Sequence, residues 1–229
     1  MNPRLVLFDI DGTLVLTGGA GMRALNRACE DLLGHRNAVH GVPLAGRTDW
    51  IILLDALSRI GRELDADLFA ALRDRYLVFL REEIALPGHG VKGVMPGVRE
   101  LLARLHARDD VFLGLLTGNF EAGARIKLGH FGLWEYFRCG AFGDDAADRN
   151  ALVPFAVSRA RECGLSDAAP GNVFVVGDTP HDVGCALAAG ATPIGVATGS
   201  FSVAELRASG ADVVFSDLSD VAAFDALLA

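Results

Sequence analysis

Residues 5–14 read LVLFDIDGTL, and this stretch decides the fold. Its apolar run extends from Arg4 to Phe8 without alternation, which is typical of a strand buried on both faces of a sheet. Asp9 and Asp11 follow at once. Because alternate residues of an extended chain lie on the same side, we predict that both carboxylates face one site. Gly12 then permits a sharp turn, so the site is predicted where the strand ends.

The same kind of apolar run recurs along the chain, at Val111–Leu116, Val173–Val176, Ile194–Val196 and, more weakly, Val213–Phe215. Between these runs lie helical patterns, at Val98–Leu105, Phe155–Arg161 and Val183–Ala188. Strands that alternate with helices form a parallel sheet covered by helices on both faces. The sequence therefore predicts an α/β fold with a doubly wound, Rossmann-like parallel sheet.

The segment from Thr17 to Lys92 breaks this alternation. It contains amphipathic helical patterns and no convincing strand, and glycine-rich turns flank it on both sides. We therefore predict two units: a core domain of residues 1–16 and 94–229, and an inserted α-helical cap domain of residues 17–93.

Composition narrows the class of partner. The net charge is -8, and only two of the 21 basic residues are lysines, so neither nucleic acid nor an anionic membrane is an expected partner. The four cysteines show no CxxC or ligand spacing, and we expect reduced, mostly buried thiols. Neither a signal peptide nor a membrane span is expected, and we predict a cytoplasmic enzyme that acts on a small molecule.

A second acidic pair follows the run at Val173–Val176, where residues 177–183 read GDTPHDV. Part of this motif is explained by helix capping, with Thr179 as the N-cap and Asp182 as its partner in a capping box. The carboxyl ends of parallel strands share one edge of the sheet, so Asp178 and Asp182 are predicted to approach the first acidic pair. Clustered carboxylates repel each other, and a hard divalent cation with oxygen ligands, such as Mg²⁺, relieves that repulsion.

The run at Val111–Leu116 ends in LLTGN, residues 115–119. The Thr117 hydroxyl and the backbone amides at Gly118 and Asn119 form a plausible cradle for a phosphate group. An equally good interpretation of these residues alone is a turn that caps a helix beginning at Glu121. Convergence with the acidic strand ends favours the phosphate cradle.

The ordered motifs DIDGTL, LLTGN and GDTPHDV resemble those of the haloacid dehalogenase-like hydrolase superfamily. The closer resemblance is to its phosphoglycolate-phosphatase-like members, which carry a helical cap between the first two motifs. This resemblance implies that Asp9 attacks phosphorus and that Asp11 acts as general acid and then as general base. It also implies Mg²⁺ held by Asp9, the Asp11 backbone carbonyl and Asp178, with Asp182 assisting.

The phosphate-binding cation departs from the family pattern, and the candidate specificity residue in the cap is suggested by that pattern alone. The family commonly uses a lysine beside the nucleophile, but the corresponding stretch here, residues 142–154, contains Arg149 instead. Lys127, on the helix after Thr117, is a second candidate for this phosphate-binding cation, and the sequence does not separate the two. In the cap, the resemblance places a substrate-reading loop at residues 46–50, where Arg47 is the candidate specificity residue.

The expected activity is therefore hydrolysis of a small phosphorylated metabolite, of the phosphoglycolate or sugar phosphate class, through an aspartyl-phosphate. A phosphomutase of the same superfamily shares every motif and remains the alternative. A dehalogenase is disfavoured by Asp11 and Asp178, and a receiver-type signalling domain by the large helical insertion. Either a monomer or a homodimer is compatible with the sequence.

Overall fold

The computed structural model of the chain describes residues 3–166 and 170–228. The ends of the predicted core domain, residues 1, 2 and 229, lie outside these ranges. The strands are β1 (Arg4–Phe8), β2 (Val15–Thr17), β3 (Lys92–Val94), β4 (Val111–Leu116), β5 (Cys139–Ala141), β6 (Val173–Gly177), β7 (Thr192–Val196) and β8 (Val213–Phe215). The helices are α1 (Ala20–Leu33), α2 (Asp49–Arg59), α3 (Ala66–Glu83), α4 (Val98–His106), α5 (Glu121–His130), α6 (Leu152–Glu162), α7 (Pro180–Ala188), α8 (Val203–Ala208) and α9 (Val221–Leu227).

Six strands form one parallel sheet in the order β5-β4-β1-β6-β7-β8. In the sheet β1 lies between β4 and β6, with Arg4 opposite Val111 and Leu5 opposite Val173. The strands β4 and β5 are added on one side of β1, and the later strands β6, β7 and β8 are added on the other side. This reversal creates a switch point at the carboxyl end of β1, which is where open α/β sheets bind ligands.

Helices cover both faces of this sheet. Leu5 and Leu7 point to the face that packs against α6 and α7, whereas Val6 and Phe8 point to the face that packs against α4 and α9. The two faces follow from the period of two along a strand, and both are apolar because both are covered. The predicted doubly wound α/β fold is confirmed.

Two short strands correct the prediction for the insertion. The segment from Thr17 to Lys92 was expected to contain no strand, but β2 and β3 pair antiparallel at its borders, with Thr17 opposite Lys92. Each strand has only three residues, too few for a hydrophobic period to show. The helices α1, α2 and α3 lie between them, and we call residues 18–91 the cap. The boundaries predicted for the two domains stay a prediction.

The cap has an apolar core of its own, to which Leu25, Leu53 and Leu72 contribute from its three helices. Phe120, from the segment between β4 and α5, is fully buried in the same cluster. The cap core therefore includes a residue of the sheet domain, and this contact joins the cap to the segment that follows β4.

The cysteines are all free thiols, but they are less buried than predicted. Cys29 and Cys185 are buried, Cys139 is partly exposed and Cys163 is exposed. Within residues 3–166 and 170–228, no helix combines the length and the hydropathy needed to cross a bilayer.

Candidate active site

The chain turns sharply where β1 ends. Asp9 continues the strand, and its amide donates a hydrogen bond of 2.9 Å to the carbonyl of Val176 on β6. Gly12 adopts a φ of 89°, in the left-handed region that glycine occupies without strain, and its amide bonds the carbonyl of Val15. The turn leaves Asp9 buried at 4% exposure, whereas the side chain of Asp11 is 40% exposed.

Three carboxylates converge beside this turn. Oxygen atoms of Asp9, Asp178 and Asp182 lie within 4.8 Å of one another, and all three residues are buried. Asp178 follows β6 directly, and Asp182 lies in the first turn of α7. Three of the four carboxylates predicted to meet at the sheet edge do so, and together they could hold a divalent metal ion, whereas the Asp11 side chain is not part of this cluster.

The carboxyl cluster is electrostatically strained. Burial raises the pKa of Asp9, and the neighbouring charges of Asp182 and Asp11 raise it further, while Arg149 opposes the rise. Burial also raises the pKa of Asp178, and the charges of Asp9 and Asp182 add to that effect. Ionised carboxylates this close are unfavourable without a compensating cation, so the cluster favours binding of positive charge.

Asp182 has a structural task as well. One of its oxygens accepts hydrogen bonds from the amide and hydroxyl of Thr179, at 3.0 Å and 2.7 Å, and the other accepts from Arg149. Thr179 is the N-cap of α7, Pro180 begins the helix, and both halves of the capping box are present. The capping box predicted for Thr179 and Asp182 is confirmed. Because two partners already occupy the Asp182 carboxylate, its contribution to a metal site stays a prediction.

Arg149 and Lys127 both reach the site, and each contacts a different aspartate. The Nη2 of Arg149 lies 2.9 Å from Oδ1 of Asp9, whereas the Nζ of Lys127 lies 2.6 Å from Oδ2 of Asp11. Both cations are buried. The sequence offered them as alternatives for one position, but the structure gives each its own carboxylate. Whether either one contacts phosphate is not tested by these distances and stays a prediction.

Arg149 is also the link between the carboxylates and the cap. Its Nη1 donates a hydrogen bond of 3.2 Å to the carbonyl of Gly46 in the cap. Its Nε is buried and, among the described residues, is the one buried side-chain nitrogen or oxygen without a hydrogen-bond partner. A buried donor of this kind is costly unless a ligand or water satisfies it.

The segment after β4 builds the third side of the site. The Thr117 hydroxyl accepts hydrogen bonds from the amide and the side chain of Asn119, at 3.3 Å and 2.8 Å. Asn119 in turn donates to Asp11 at 2.8 Å, and its side-chain oxygen accepts from Lys127 at 2.5 Å. Asn119 was expected only to offer an amide to phosphate, but here its side chain positions the predicted acid and its cation.

The alternative in which residues 117–119 cap the following helix is wrong. Helix α5 has Phe120 as its N-cap, without a side-chain cap of its own. The amide of Phe120 instead donates to Asp49 of the cap at 2.9 Å, and the amide of Glu121 donates to Asp144 at 2.6 Å. These acceptors come from distant parts of the chain, so the first amides of α5 are satisfied without residues 117–119.

Thr48 and Asp49 fasten the cap to the core. The Thr48 hydroxyl donates to the carbonyl of Ala147 at 3.0 Å, and the Asp49 amide donates to the carbonyl of Gly118 at 2.8 Å. Thr48 is the N-cap of α2, and Asp49 lies in the first turn of that helix. The bond from the Phe120 amide to Asp49 has no counterpart in the local sequence pattern. Burial raises the pKa of Asp49 to about 6, and nearby Lys127 opposes the rise.

Arg47, the candidate specificity residue, lies in the wall of the cavity. Its guanidinium is bonded within the cap, to Asp55 at 2.7 Å and to the carbonyl of Pro43 at 3.2 Å. The residue is therefore where the prediction placed it, but its charge is already paired.

Three further residues support the site and were missed. Thr13 donates to Asp178 at 3.1 Å, Thr198 donates to the carbonyl of Gly12, and the buried Tyr76 lies in the cavity wall. Thr13 belongs to the DIDGTL motif, so its position was a usable signal. Thr198 and Tyr76 belong to no motif, and only the fold brings them to the site.

All these groups surround one cavity of about 690 Å³ between the cap and the carboxyl ends of the strands. Its core side includes Asp9, Asp11, Asp178 and the residues at 117–119, and its cap side includes Arg47, Asp49 and Tyr76. The volume lies within the roughly 300–1,000 Å³ usual for small-molecule sites. The cavity combines a buried nucleophile candidate with two buried cations.

Comparison with known proteins identifies this arrangement. The model of the haloacid dehalogenase-like hydrolase family matches residues 3–190, which is most of the chain. The chain belongs to this family. The hydrolase is 33% identical over 227 residues to the probable phosphatase IndB of Dickeya dadantii (strain 3937), with 96% of the chain and 92% of the relative covered. It is 32% identical over 222 residues to the phosphoglycolate phosphatase of Rhodospirillum rubrum, with 96% and 89% covered.

A solved structure agrees with the fold of the hydrolase. The crystal structure of a predicted phosphoglycolate phosphatase from Haemophilus somnus 129pt superimposes with a TM-score of 0.71 at 21% identity, covering 98% of this chain and 99% of the other. Together the family match and the relatives confirm the resemblance drawn from the motifs. The hydrolase is a phosphatase of the phosphoglycolate-phosphatase-like group.

Proposed function

We propose that this phosphatase hydrolyses a small phosphate monoester with Mg²⁺, through an aspartyl-phosphate formed on Asp9. One observation carries the proposal: the buried Asp9 carboxylate lies in the cavity wall, bonded to Arg149 and beside Asp178. A cation on one side and a potential metal site on the other suit a group that attacks an anionic phosphate.

The residues present fit a magnesium ion. Asp9 and Asp178 supply hard oxygen donors, and burial together with the neighbouring carboxylates raises the pKa of each, which a bound cation would oppose. Space around Asp178 is kept open by glycines, because a Cβ at Gly12 or Gly199 would overlap its carboxylate. Asp9, Asp178 and the backbone carbonyl of Asp11 would hold the ion, with Asp182 nearby. When bound, Mg²⁺ neutralises charge on the phosphate and the carboxylates.

In the first step, a carboxylate oxygen of Asp9 forms a bond to phosphorus while the bond to the leaving oxygen breaks. Asp11 gives its proton to that oxygen, so the product leaves as an alcohol. In the second step, Asp11 takes a proton from water, the water oxygen bonds phosphorus, and the Asp9 carboxylate is released with inorganic phosphate. Lys127 and Asn119 hold the Asp11 carboxyl group in place for both proton transfers.

Arg149, Thr117 and the amides of Gly118 and Asn119 are proposed to bind the phosphate oxygens. Arg149 lies in the cavity wall, where its guanidinium contacts Asp9. Most of the rate enhancement then comes from positioning and from neutralising charge.

Para-nitrophenyl phosphate tests the proposal. We expect turnover with Mg²⁺, none with a chelator, and none for Asp9→Asn, while Asp67→Asn at an exposed position of α3 stays fully active. Nitrophenolate leaves without protonation, so Asp11→Asn is expected to release a burst of about one equivalent and then stall as the phosphoryl-enzyme. An active Asp9→Asn, or undiminished turnover in chelator, would contradict the proposal. Inorganic phosphate release, rather than transfer to a sugar phosphate, separates the hydrolase from a phosphomutase.

A further inference from the structure

The cap side of the cavity is mostly apolar. Five side chains of the cap give it this character, and Leu16 of β2 adds a sixth: Met22, Leu25, Leu44, Ile52, Val91 and Leu16. Met22 and Val91 are 42% and 69% exposed, so the apolar surface continues to the entrance of the cavity. Exposed apolar surface at a ligand site is typically there to contact the ligand.

The cavity is large with the cap already fastened to the core. The hydrogen bonds of Thr48 to Ala147 and of Asp49 to Gly118 join the two parts directly, and the Arg47 backbone lies against Gly118. The volume of about 690 Å³ therefore does not result from a separated cap. A phosphoryl group with a two-carbon acid would leave much of this space unfilled.

The cavity offers little to a second anionic group on the substrate. Among the described residues in its wall, the lysine and both arginines are already paired: Arg47 with Asp55, Lys127 with Asp11, and Arg149 with Asp9 and Asp182. The remaining basic side chain, His89, is exposed at the entrance, where solvent screens its charge. Asp49 adds a carboxylate to the same cavity, and like charges repel.

From the size, the apolar wall and the paired cations, we infer that the substrate is a phosphate ester of an uncharged alcohol with an apolar body, not of a hydroxy acid. The inference rests on the proposed phosphatase function and specifies its substrate class. It separates this chain from its relatives named phosphoglycolate phosphatase, because a leaving alcohol that carries a carboxylate would meet paired cations and Asp49.

The decisive experiment compares n-alkyl phosphates with 4-phosphonooxybutanoate, in which a carboxylate replaces the end of the alkyl chain. From methyl to pentyl phosphate, kcat/KM is expected to rise by up to about fourfold for each methylene buried in the wall. The carboxylated ester is expected to fall at least about tenfold below pentyl phosphate, and phosphoglycolate is expected to be a poor substrate as well. All leaving groups in the main pair are primary alcohols, so the comparison reports on the cavity.

Two pairs of variants locate the effect. Met22→Lys adds a cation at the cavity entrance, and its matched control is Leu32→Lys, on the same helix at 41% exposure and away from the cavity wall. Asp55→Ala releases Arg47, and its control is Asp31→Ala, which breaks the similar ion pair with Arg75 elsewhere in the cap. Met22→Lys and Asp55→Ala should each raise the carboxylated-to-alkyl ratio of kcat/KM by about tenfold, and the controls should not.

Each outcome is decisive. A wild-type preference for the carboxylated ester, or an alkyl series without a trend, would overturn the inference while leaving the phosphatase function intact. If no ester is hydrolysed, para-nitrophenyl phosphate included, the proposed function fails and this inference fails with it.

Discussion

Lys127 forms an ion pair with Asp11 across the cavity, with 2.6 Å between Nζ and Oδ2. Lys127 is buried in α5, whereas the Asp11 side chain is 40% exposed to the cavity. Asn119 bonds both partners, so the three side chains form a closed arrangement. Asp11 is thus held by two partners on the segment between β4 and the end of α5, and its position depends on that segment.

Replacing Lys127 by methionine should therefore impair the proton transfers and leave the fold intact. We expect Lys127→Met to lower kcat by about 10²-fold for an ester of a poor leaving group, because misplacing a catalytic group by about 1 Å has an effect of that size. The loss should be smaller with para-nitrophenyl phosphate, whose leaving group needs no acid. Steady-state kinetics with the two esters measure the difference.

The matched control for this variant is Arg125→Met. Arg125 lies on the same helix but stacks on Trp134, away from the cavity wall. Its replacement should leave both kcat values near those of the wild type. An equal loss with the two esters for Lys127→Met would show that Lys127 does not act through Asp11.

Arg149 pairs with two other carboxylates, and replacing it should lower the free energy of unfolding. Asp9 and Asp182 are both buried and both bonded to its guanidinium. Removing one partner of a buried ion pair typically costs about 3–5 kcal/mol, because the remaining charge is left uncompensated. We expect Arg149→Met to lose about this much free energy of unfolding at pH 8, measured by urea unfolding in chelator.

The loss of stability in Arg149→Met should depend on pH. In the folded protein burial already raises the pKa of Asp9 and Asp178, and losing Arg149 raises that of Asp9 further. Groups with a raised folded pKa lose stability as pH rises through that pKa, so the deficit of Arg149→Met should be smaller at pH 5 than at pH 8. Arg207→Met, at an exposed position of α8, should show no deficit at either pH. A pH-independent loss would argue for a packing role alone.

The sheet and its acidic edge could be predicted from the sequence because continuous apolar runs report directly on strands buried on both faces. The run at Arg4–Phe8 gave the bounds of β1, and Val111–Leu116 gave those of β4. By contrast, β5 at Cys139–Ala141 has only three residues and one glycine, and it is a strand only because β4 offers an edge to pair with. The local sequence of β5 does not indicate that it pairs with β4.

The pairing of the cations could not be predicted for a similar reason. Arg149 is separated from Asp9, and Lys127 from Asp11, by more than 100 residues, and helical direction placed Lys127 near the site without indicating which aspartate it meets. Asp49 is the clearest case. An acidic residue in the first turn of a helix is accounted for by the helix dipole alone. The hydrogen bond from the Phe120 amide to the Asp49 carboxylate forms only in the folded chain.

Asp49 should make stability fall between about pH 4 and 6. Its pKa rises on folding from 3.8 to about 6, mainly through burial, so the folded state favours the protonated form. The stability it contributes is complete below pH 3.8 and is lost as pH rises through about 6. Asparagine stays neutral and can still accept the Phe120 hydrogen bond, so we expect Asp49→Asn to gain about 1–3 kcal/mol over the wild type at pH 8.

Urea unfolding of both proteins at pH 4 and pH 8, in chelator, measures this gain. The two should converge at pH 4, where Asp49 of the wild type is mostly protonated. Asp67→Asn, an exposed acid in the first turn of α3, provides the control for removing one negative charge from the cap and should not gain stability at pH 8. A wild type more stable than Asp49→Asn at pH 8 would mean that the attraction between Asp49 and the nearby charge of Lys127 outweighs the cost of burial.

Gly118 should tolerate no side chain, because the cap packs directly against this residue of the segment that follows β4. A Cβ at this position would overlap the carbonyl of Arg47 and crowd the backbone of Thr48. Gly118→Ala should therefore push the cap away, break the Asp49 amide bond to Gly118 and admit water, lowering kcat/KM by about 10–10²-fold. Gly129→Ala is the matched control on α5, since a Cβ there meets nothing within 4 Å and alanine favours a helix. Steady-state kinetics and the Tm of both variants distinguish the effects: full activity in Gly118→Ala would show that contact between the cap and this glycine is not needed for turnover.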